Sequence, residues 1–287
     1  MLEKNVETFI ACGSEYEEAK IVLFGAPFDS TTSYRPGARF AGRAIRGESY
    51  GIETYSPYQG ADLEDCRVFD SGELELCIGS SEAALLGISE RTAAILDDGK
   101  LPIMLGGEHL VTLGAVREVI KRHPGLKIIH FDAHADLRED YLGARLSHAC
   151  VIRRCHELLG DGSIFQFGIR SGDKSEFLWA KKGHTEMRRF DFEGRCGALE
   201  SIKGSPVYLT VDLDVLDPSV FPGTGTPEAG GVSFTELLNA VLLVARGSRL
   251  VGCDICELSP IYHQSGVSTA AACKLLRELI IAVSAGL

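Results

Sequence analysis

The chain has 287 residues, 45% of them hydrophobic and 24% charged, with a net charge of −11. That is enough apolar material for a sizeable core, and no apolar run reaches the length of a membrane span. The acidic balance argues against nucleic acid or an anionic membrane as a partner and is compatible with a small cationic substrate.

In chain order, the opening Met1-Leu2-Glu3-Lys4-Asn5-Val6-Glu7 lacks the basic and apolar regions of a leader peptide. Lys20–Gly25 reads as the first strand, and Ala26–Thr32 as a polar loop containing Asp29. A helix is predicted near Gly42 to Ser49. The stretch from about Tyr55 to Leu76 is rich in turn formers, with a possible strand at Cys66–Asp70. Ser80 or Ser81 is placed to cap a helix running through Leu96. Strand Leu101–Leu105 leads through Gly106-Gly107 into a helix from about His109 to Lys121, broken by His123-Pro124-Gly125. Leu126–Ile129 is a buried strand, followed by His130–Asp136 and a charged loop to His148. Helix Ala149–Leu159, strand Ser163–Ile169, helix Glu176–Lys182 and strand Val207–Val211 follow. After a Gly/Pro loop, Asp217–Gly231, Ser233 caps a helix to Arg246; Arg249–Ile255 is a strand and Thr269–Val283 a closing helix. Strands alternate with helices throughout, so the expected architecture is α/β: a mostly parallel central sheet with helices on both faces, in one domain over residues 1–287.

Nine cysteines are scattered singly apart from Cys253 and Cys256, which lie in an apolar strand-like run and read as buried thiols. A reducing cytoplasm is the expected location.

The chemistry concentrates at strand ends. In His130-Phe131-Asp132-Ala133-His134-Ala135-Asp136, residues two apart share a face wherever the backbone stays extended, so Asp132, His134 and Asp136 would project together. Two carboxylates and an imidazole with no thiolate suit a hard divalent ion of the manganese type. The strand ending in Asp212-Leu213-Asp214 repeats the pattern, and Gly106-Gly107-Glu108-His109 adds a histidine. Six candidate ligands, His109, Asp132, His134, Asp136, Asp212 and Asp214, are too many for one ion that must also admit substrate; two ions sharing carboxylates fit better. His123, His156, His184 and His263 have no acidic partner at ligand spacing and read as structural or exposed.

These segments, with Phe28-Asp29, Arg35-Pro36-Gly37-Ala38-Arg39, Leu216-Asp217-Pro218 and Asp254-Ile255-Cys256-Glu257-Leu258-Ser259-Pro260, resemble the arginase/agmatinase ureohydrolases across almost the whole chain. The loop Pro222–Glu228 and Glu257-Leu258-Ser259-Pro260 look like the agmatinase branch. The resemblance implies a three-layer αβα fold, two manganese ions per chain, hydrolysis of agmatine to putrescine and urea, and a homo-oligomer, trimer or hexamer. It places His109, Asp132, Asp136 and Asp212 on one ion and His134, Asp132, Asp212 and Asp214 on the other. It puts His148 near the substrate as a proton shuttle and Glu257 on the guanidinium. Glu108 and Leu110 flank His109 where the family usually has Asp and Ser.

The chemistry is consistent with those roles. A guanidinium carbon is a poor electrophile, so the attacking water must become hydroxide, and two bridging divalent ions lower its pKa towards ~7 from ~15.7. Asp136 is suited to accept a hydrogen bond from that hydroxide and pass the proton on, while Glu257 offers a planar fork to a planar cation. A histidine such as His148 titrates in the range needed to protonate a leaving amine. Rival readings keep the metals and change the substrate to guanidinobutyrate, guanidinopropionate, arginine or a formimino compound such as formiminoglutamate. Another makes Asp212-Leu213-Asp214 the manganese site of a nucleotide-sugar transferase, which leaves Asp132, His134 and Asp136 without a role. The last is a non-catalytic scaffold, against which stands the filling of every ligand position.

Overall fold

The computed structural model describes residues 7–287, so the leaderless reading of Met1–Val6 lies outside the described residues. Among the described residues there are ten strands: β1 Ile21–Ala26, β2 Tyr55–Ser56, β3 Ala61–Asp62, β4 Val68–Glu73, β5 Leu101–Gly106, β6 Lys127–Phe131, β7 Ile164–Ile169, β8 Glu186–Arg189, β9 Pro206–Asp212 and β10 Arg249–Cys256. The helices are α1 Ala41–Ser49, α2 Ser81–Asp97, α3 Val111–Arg122, α4 Val151–Leu159, α5 Lys174–Trp179, α6 Arg195–Ser201, α7 Phe234–Gly247 and α8 Val267–Ser284. Eight strands form one parallel sheet in the order β4-β1-β5-β10-β9-β6-β7-β8. β2 and β3 pair as a small antiparallel ribbon.

Strand periodicity sorts the core into two. Ile21, Leu23, Ile103, Leu105, Leu209 and Val211 pack in one cluster with residues of α1, α7 and α8. Val22, Phe24, Met104 and Tyr208, one residue out of phase, pack in the other with α2, α3 and α4. Side chains that alternate across a pleat must bury on both faces, and a βαβ chain supplies a helical layer to each. The three-layer αβα architecture expected from the alternation is therefore present. No helix among the described residues is long and apolar enough to cross a membrane.

Boundaries moved where local chemistry was silent. α3 begins at Val111, because residues 107–110 turn at the strand end. α5 begins at Lys174, capped reciprocally by Asp173 and Glu176, and runs out at Trp179 into a π turn, Ala180–His184. β8 and α6 had no sequence signal. β8, Glu-Met-Arg-Arg, is a largely exposed edge strand with no apolar alternation, and α6 is only seven residues long.

The order of the sheet matters most for function. β9 and β10 come late in the chain yet insert between β5 and β6. Four adjacent strands, β5, β10, β9 and β6, thus end side by side, at the kind of switch point where open α/β sheets build sites. Gly107 stitches these ends together. Its carbonyl accepts Glu257 N–H at 2.9 Å, and the next amide, Glu108 N–H, donates to the Phe28 carbonyl at 2.8 Å. A Cβ on Gly107 would drive into the Phe28 backbone, which has no room to retreat. Gly107→Ala is expected to destabilise the protein by about 1–3 kcal/mol, the range for overpacking, measured by urea denaturation; unchanged stability would show that this junction is loose.

Candidate metal centre

The structure brings all six predicted ligands to one place. His109 follows β5, Asp132, His134 and Asp136 follow β6, and Asp212 and Asp214 lie at the end of β9. His109 Nδ1 is 3.1 Å from both Asp132 Oδ2 and Asp136 Oδ2 and 3.5 Å from Asp212 Oδ2. His134 Nδ1 is 2.9 Å from Asp214 Oδ2 and 3.6 Å from Asp132 Oδ1. Asp132 therefore touches both histidines. Asp212 Oδ1 accepts Asp214 N–H at 2.8 Å, which joins the two acids of β9.

The shared face was expected from an extended backbone, but β6 ends at Phe131. Asp136 arrives differently, through a left-handed backbone at φ 52, with its carbonyl accepting the amides of Ile152 and Arg153 at 3.1 Å each. Glu257, just past β10, is also left-handed at φ 66. A non-glycine residue in this region costs on the order of 1 kcal/mol or more and persists only where its surroundings impose it. Two of the five such residues described are acids at this one site.

Behind the ligands lies a layer that sequence reasoning passed over. Thr185 Oγ1 donates to Gln166 Oε1, so the Gln166 amide nitrogen faces His130 Nδ1, at 3.1 Å. His130 must then carry its hydrogen on Nε2, which donates to Asp132 Oδ2 at 2.8 Å. Burial also keeps this ring neutral by lowering its pKa. His130 thus orients Asp132 and has no lone pair to offer an ion. Thr210 Oγ1 likewise donates to Asp254 Oδ1 at 2.6 Å and so accepts from His109 Nε2 at 2.8 Å. Tyr208 Oη holds the other Asp254 oxygen at 2.7 Å. The strand periodicity that singled out Asp132 and Asp212 applies one step further back: His130 and Thr210 are each two residues earlier on the same face.

This hydrogen bonding tests the fit of a cation. With its hydrogen committed to Thr210, His109 Nδ1 points a lone pair at three buried carboxylates. That arrangement is repulsive unless a positive charge, a proton or a metal ion, sits between them. The carboxyls carry the same strain. Burial, with the charge of Asp132, pushes Asp136 up to about 7. Burial also pushes Asp212 and Glu257 well above their ordinary range, with Asp214 adding to the first and Glu108 to the second. Burial opposes ionisation of Asp132 too, but His130, His109 and His134 hold it well below. The donor set of imidazole nitrogens and carboxylate oxygens fits a hard divalent ion.

Over the cluster opens a cavity of about 220 Å³, lined by Asp136, His148, Glu257, Arg138, Glu176 and Ser33 among others. Glu257 is buried and accepts His109 N–H on Oε1 at 2.9 Å. His148 Nε2 lies 3.1 Å from Ser33 Oγ, and its amide donates to Thr31 Oγ1 at 3.0 Å. Burial lowers the His148 pKa to about 4, so the ring is neutral at physiological pH. Glu108 turns away from the cluster: it accepts from Thr31 and Thr32, and burial raises it to about 7. Cys253 and Cys256 are buried, and burial pushes both thiols well up, as their apolar setting suggested. His263 is held by Ser265 and Ser268, but His156 and His184, read as lacking an acidic partner, both reach Asp161.

Residues 19–282 match the model of the arginase family. The chain belongs to the arginase family. It is 45% identical over 277 residues to an agmatinase of Bacillus subtilis, covering 96% of each chain. It is 32% identical to a guanidinobutyrase of Pseudomonas aeruginosa, covering 93% of this chain and 87% of that one. The agmatine ureohydrolase structure of Thermoplasma volcanium superposes with a TM-score of 0.89 at 36% identity, covering 97% and 94% of the two chains. The protein is thus an enzyme of the ureohydrolase type, with relatives that differ in the compound they are named for.

The titrations predict how stability depends on pH once cations are chelated. Asp136 and Glu108 hold protons to about 7 in the folded state, whereas unfolded carboxyls release them near about 4, so stability falls as pH rises between those values. His109 and His134, raised well above their ordinary value, contribute stability below about 6.5 that is lost as pH climbs through their folded pKa. His148 alone among the shifted histidines lining the cavity opposes this trend. The melting temperature of chelated protein is expected to fall from about pH 5 to about pH 7, and manganese to flatten the slope. A flat chelated profile would mean that the cluster does not need a cation.

Proposed function

We propose that the protein is a binuclear manganese agmatinase that hydrolyses agmatine to putrescine and urea. One observation carries the reading: a single cavity presents Asp136, His148 and Glu257 together above the carboxylate cluster. His109, Asp132, Asp136 and Asp212 would hold one manganese ion and His134, Asp132, Asp212 and Asp214 the other, with Asp132 and Asp212 shared. The bound pair would supply a water acidified enough to attack the guanidinium carbon.

The chain's own groups do the rest. Glu257 receives the guanidinium N–H groups and offsets their charge in a setting where burial makes an unpaired carboxylate costly. Asp136, which lines the cavity beside the ligand cluster, is placed to take the proton that the attacking water loses. His148 does not titrate near neutrality as its residue type suggests, because burial keeps it neutral. In reach of the Ser33 hydroxyl, it would pass a proton towards the departing amine nitrogen by taking one up at its other ring nitrogen in the same step.

Substrate choice follows from charge at the cavity. Arg138 is the one Lys or Arg among its lining residues, and it is already committed, 2.5 Å from Asp173 Oδ2 and 3.7 Å from Glu176 Oε2. An α-carboxylate entering here would lose its water without gaining a free cation. Agmatine has no carboxylate, and the agmatinases among the relatives favour the same choice. The guanidinobutyrase shows that family membership alone leaves the tail open, but guanidinobutyrate carries the same carboxylate problem. The acidic net charge and nine unpaired cysteines suit a cytoplasmic enzyme. Assembly as a trimer or hexamer, and one domain spanning residues 1–287, complete the reading that the family resemblance suggests.

Urea release should show kcat/KM for agmatine above that for arginine by at least about a hundredfold, or ~2.7 kcal/mol of transition-state discrimination. Glu257→Gln should damage both substrates alike, because it addresses the shared guanidinium. Arginine turnover that matches agmatine turnover would overturn the substrate assignment and leave the metal chemistry standing. His148→Ala should lower turnover by about a hundredfold while metal analysis still counts both ions. Loss of metal in this variant would make His148 a ligand, and unchanged turnover would remove it from the mechanism.

A further inference from the structure

A second cluster of nitrogen and oxygen donors lies at the opposite edge of the sheet. His156 is in the last turn of α4, and Asp161 sits between Gly160 and Gly162 in the loop that enters β7. His184 ends the π turn that enters β8. These are the amino ends of β7 and β8, whereas the carboxylate cluster gathers at carboxyl ends. His156 Nε2 is 2.7 Å and His184 Nδ1 2.8 Å from the same oxygen, Asp161 Oδ1.

The placement of His184 takes unusual backbone. α5 widens into the π turn, and Gly183 at φ 96 reverses the chain so that the ring comes back over α5. Single-turn π distortions of this kind recur at functional sites. The ring stacks on Trp179 at 4.4 Å and 23°, while His156 meets the same indole edge-on at 4.7 Å and 85°. Arg153 lies over that indole at 4.1 Å, so one aromatic side chain fixes both imidazoles. The side chains of His156, His184 and Asp161 are 15%, 30% and 64% exposed, which leaves the Asp161 side open to water.

We infer that His156, Asp161 and His184 form a second divalent-metal site, selective for borderline ions such as zinc or nickel over manganese. One donor atom from each residue can be chosen so that all three lie within 4.8 Å of one another. Around a tetrahedral ion with ligands at ~2.0–2.1 Å, donor atoms stand about 3.3 Å apart. The two nitrogen–oxygen distances would therefore lengthen by about half an ångström each, and the two nitrogens, already within 4.8 Å of one another, would settle about 3.3 Å apart. Each histidine would move its hydrogen to its other ring nitrogen, with no net change in protonation, and water would fill the open side. Two imidazoles and one carboxylate favour zinc, nickel or copper, which bind such donors more strongly than manganese does. The ion would act as a staple. β8 is an edge strand whose pairing to β7 is interrupted between Gln166 and Ile169, and the site ties the entries of both strands together.

Trp179 is the chain's single tryptophan, so its emission reports on this site and not on the carboxylate cluster at the other edge. Full-length protein saturated with manganese is titrated with nickel while the emission is followed, and zinc is then added as competitor. A saturable quench by one nickel ion per chain, relieved by zinc, is expected. His156→Ala and His184→Ala should each abolish the saturable phase. Asp161→Asn, a change in an exposed loop that leaves α4 and α5 untouched, should raise its midpoint at least about tenfold. No saturable quench in the unaltered protein would mean that the trio is a hydrogen-bonded tie without a metal. Unaltered-protein behaviour in a folded His156 or His184 variant, or in Asp161→Asn, would equally overturn the site.

Discussion

The structure depends on a concentration of buried negative charge at the ends of β6 and β9, which protonated histidines or an added cation must offset. Asp132, Asp136, Asp212 and Asp214 meet at the ends of two strands, in contact with His109, His130 and His134. Several of these carboxyls are driven up in pKa by burial and by one another, a cost that an added cation would relieve. Hydrogen bonding sharpens the point. Asp254 takes the Thr210 hydrogen, Thr210 takes the His109 Nε2 hydrogen, and His109 Nδ1 is left facing three acids.

Keeping such a cluster together requires rigid supports on every side. The parallel sheet supplies them, because β5, β10, β9 and β6 end as neighbours and each delivers at least one acid or histidine. The hydrogen-bonded layer behind, from Gln166 through His130 to Asp132 and from Tyr208 through Asp254 to Thr210, sets the rotation of those side chains. Asp136 and Glu257 add left-handed backbone that only fixed surroundings hold in place. Backbone strain thus falls at the site, at Asp136 and Glu257, while apolar burial is concentrated in the two layers that flank the sheet.

Discrimination among guanidino compounds has a different physical origin from the chemistry. In the proposed reading the guanidinium would be met by Glu257 near the cluster, and the tail would extend towards Arg138, Glu176 and Ser33, which line the same cavity. Because Arg138 is paired with Asp173 and Glu176, an anionic tail entering the cavity would meet no free cation to offset its cost of desolvation. A relative with the same metal ligands could accept a carboxylate by freeing one cation. That would be a physical reason why one family includes agmatinases and a guanidinobutyrase.

Much of this was legible in the chain by itself. Alternating strand and helix signals sufficed for the α/β architecture, because periodicities of two and of 3.6 are local properties of the side chains. The six candidate ligands were legible because they follow strands in short motifs of acids and histidines, whereas Glu257 stood out only through the family resemblance. β8 and α6 were not: one is an exposed edge without alternation, the other too short for a period to register. The sequence also could not show that β9 and β10 insert between β5 and β6, since sheet order is settled by packing between residues far apart in the chain. The left-handed turn at Asp136, the committed charge of Arg138 and the meeting of His156, Asp161 and His184 belong to the same category. Local residue types determined what chemistry this protein can carry; which groups face one another, and in what charge state, was decided by the tertiary fold, because hydrogen bonds and burial act through space.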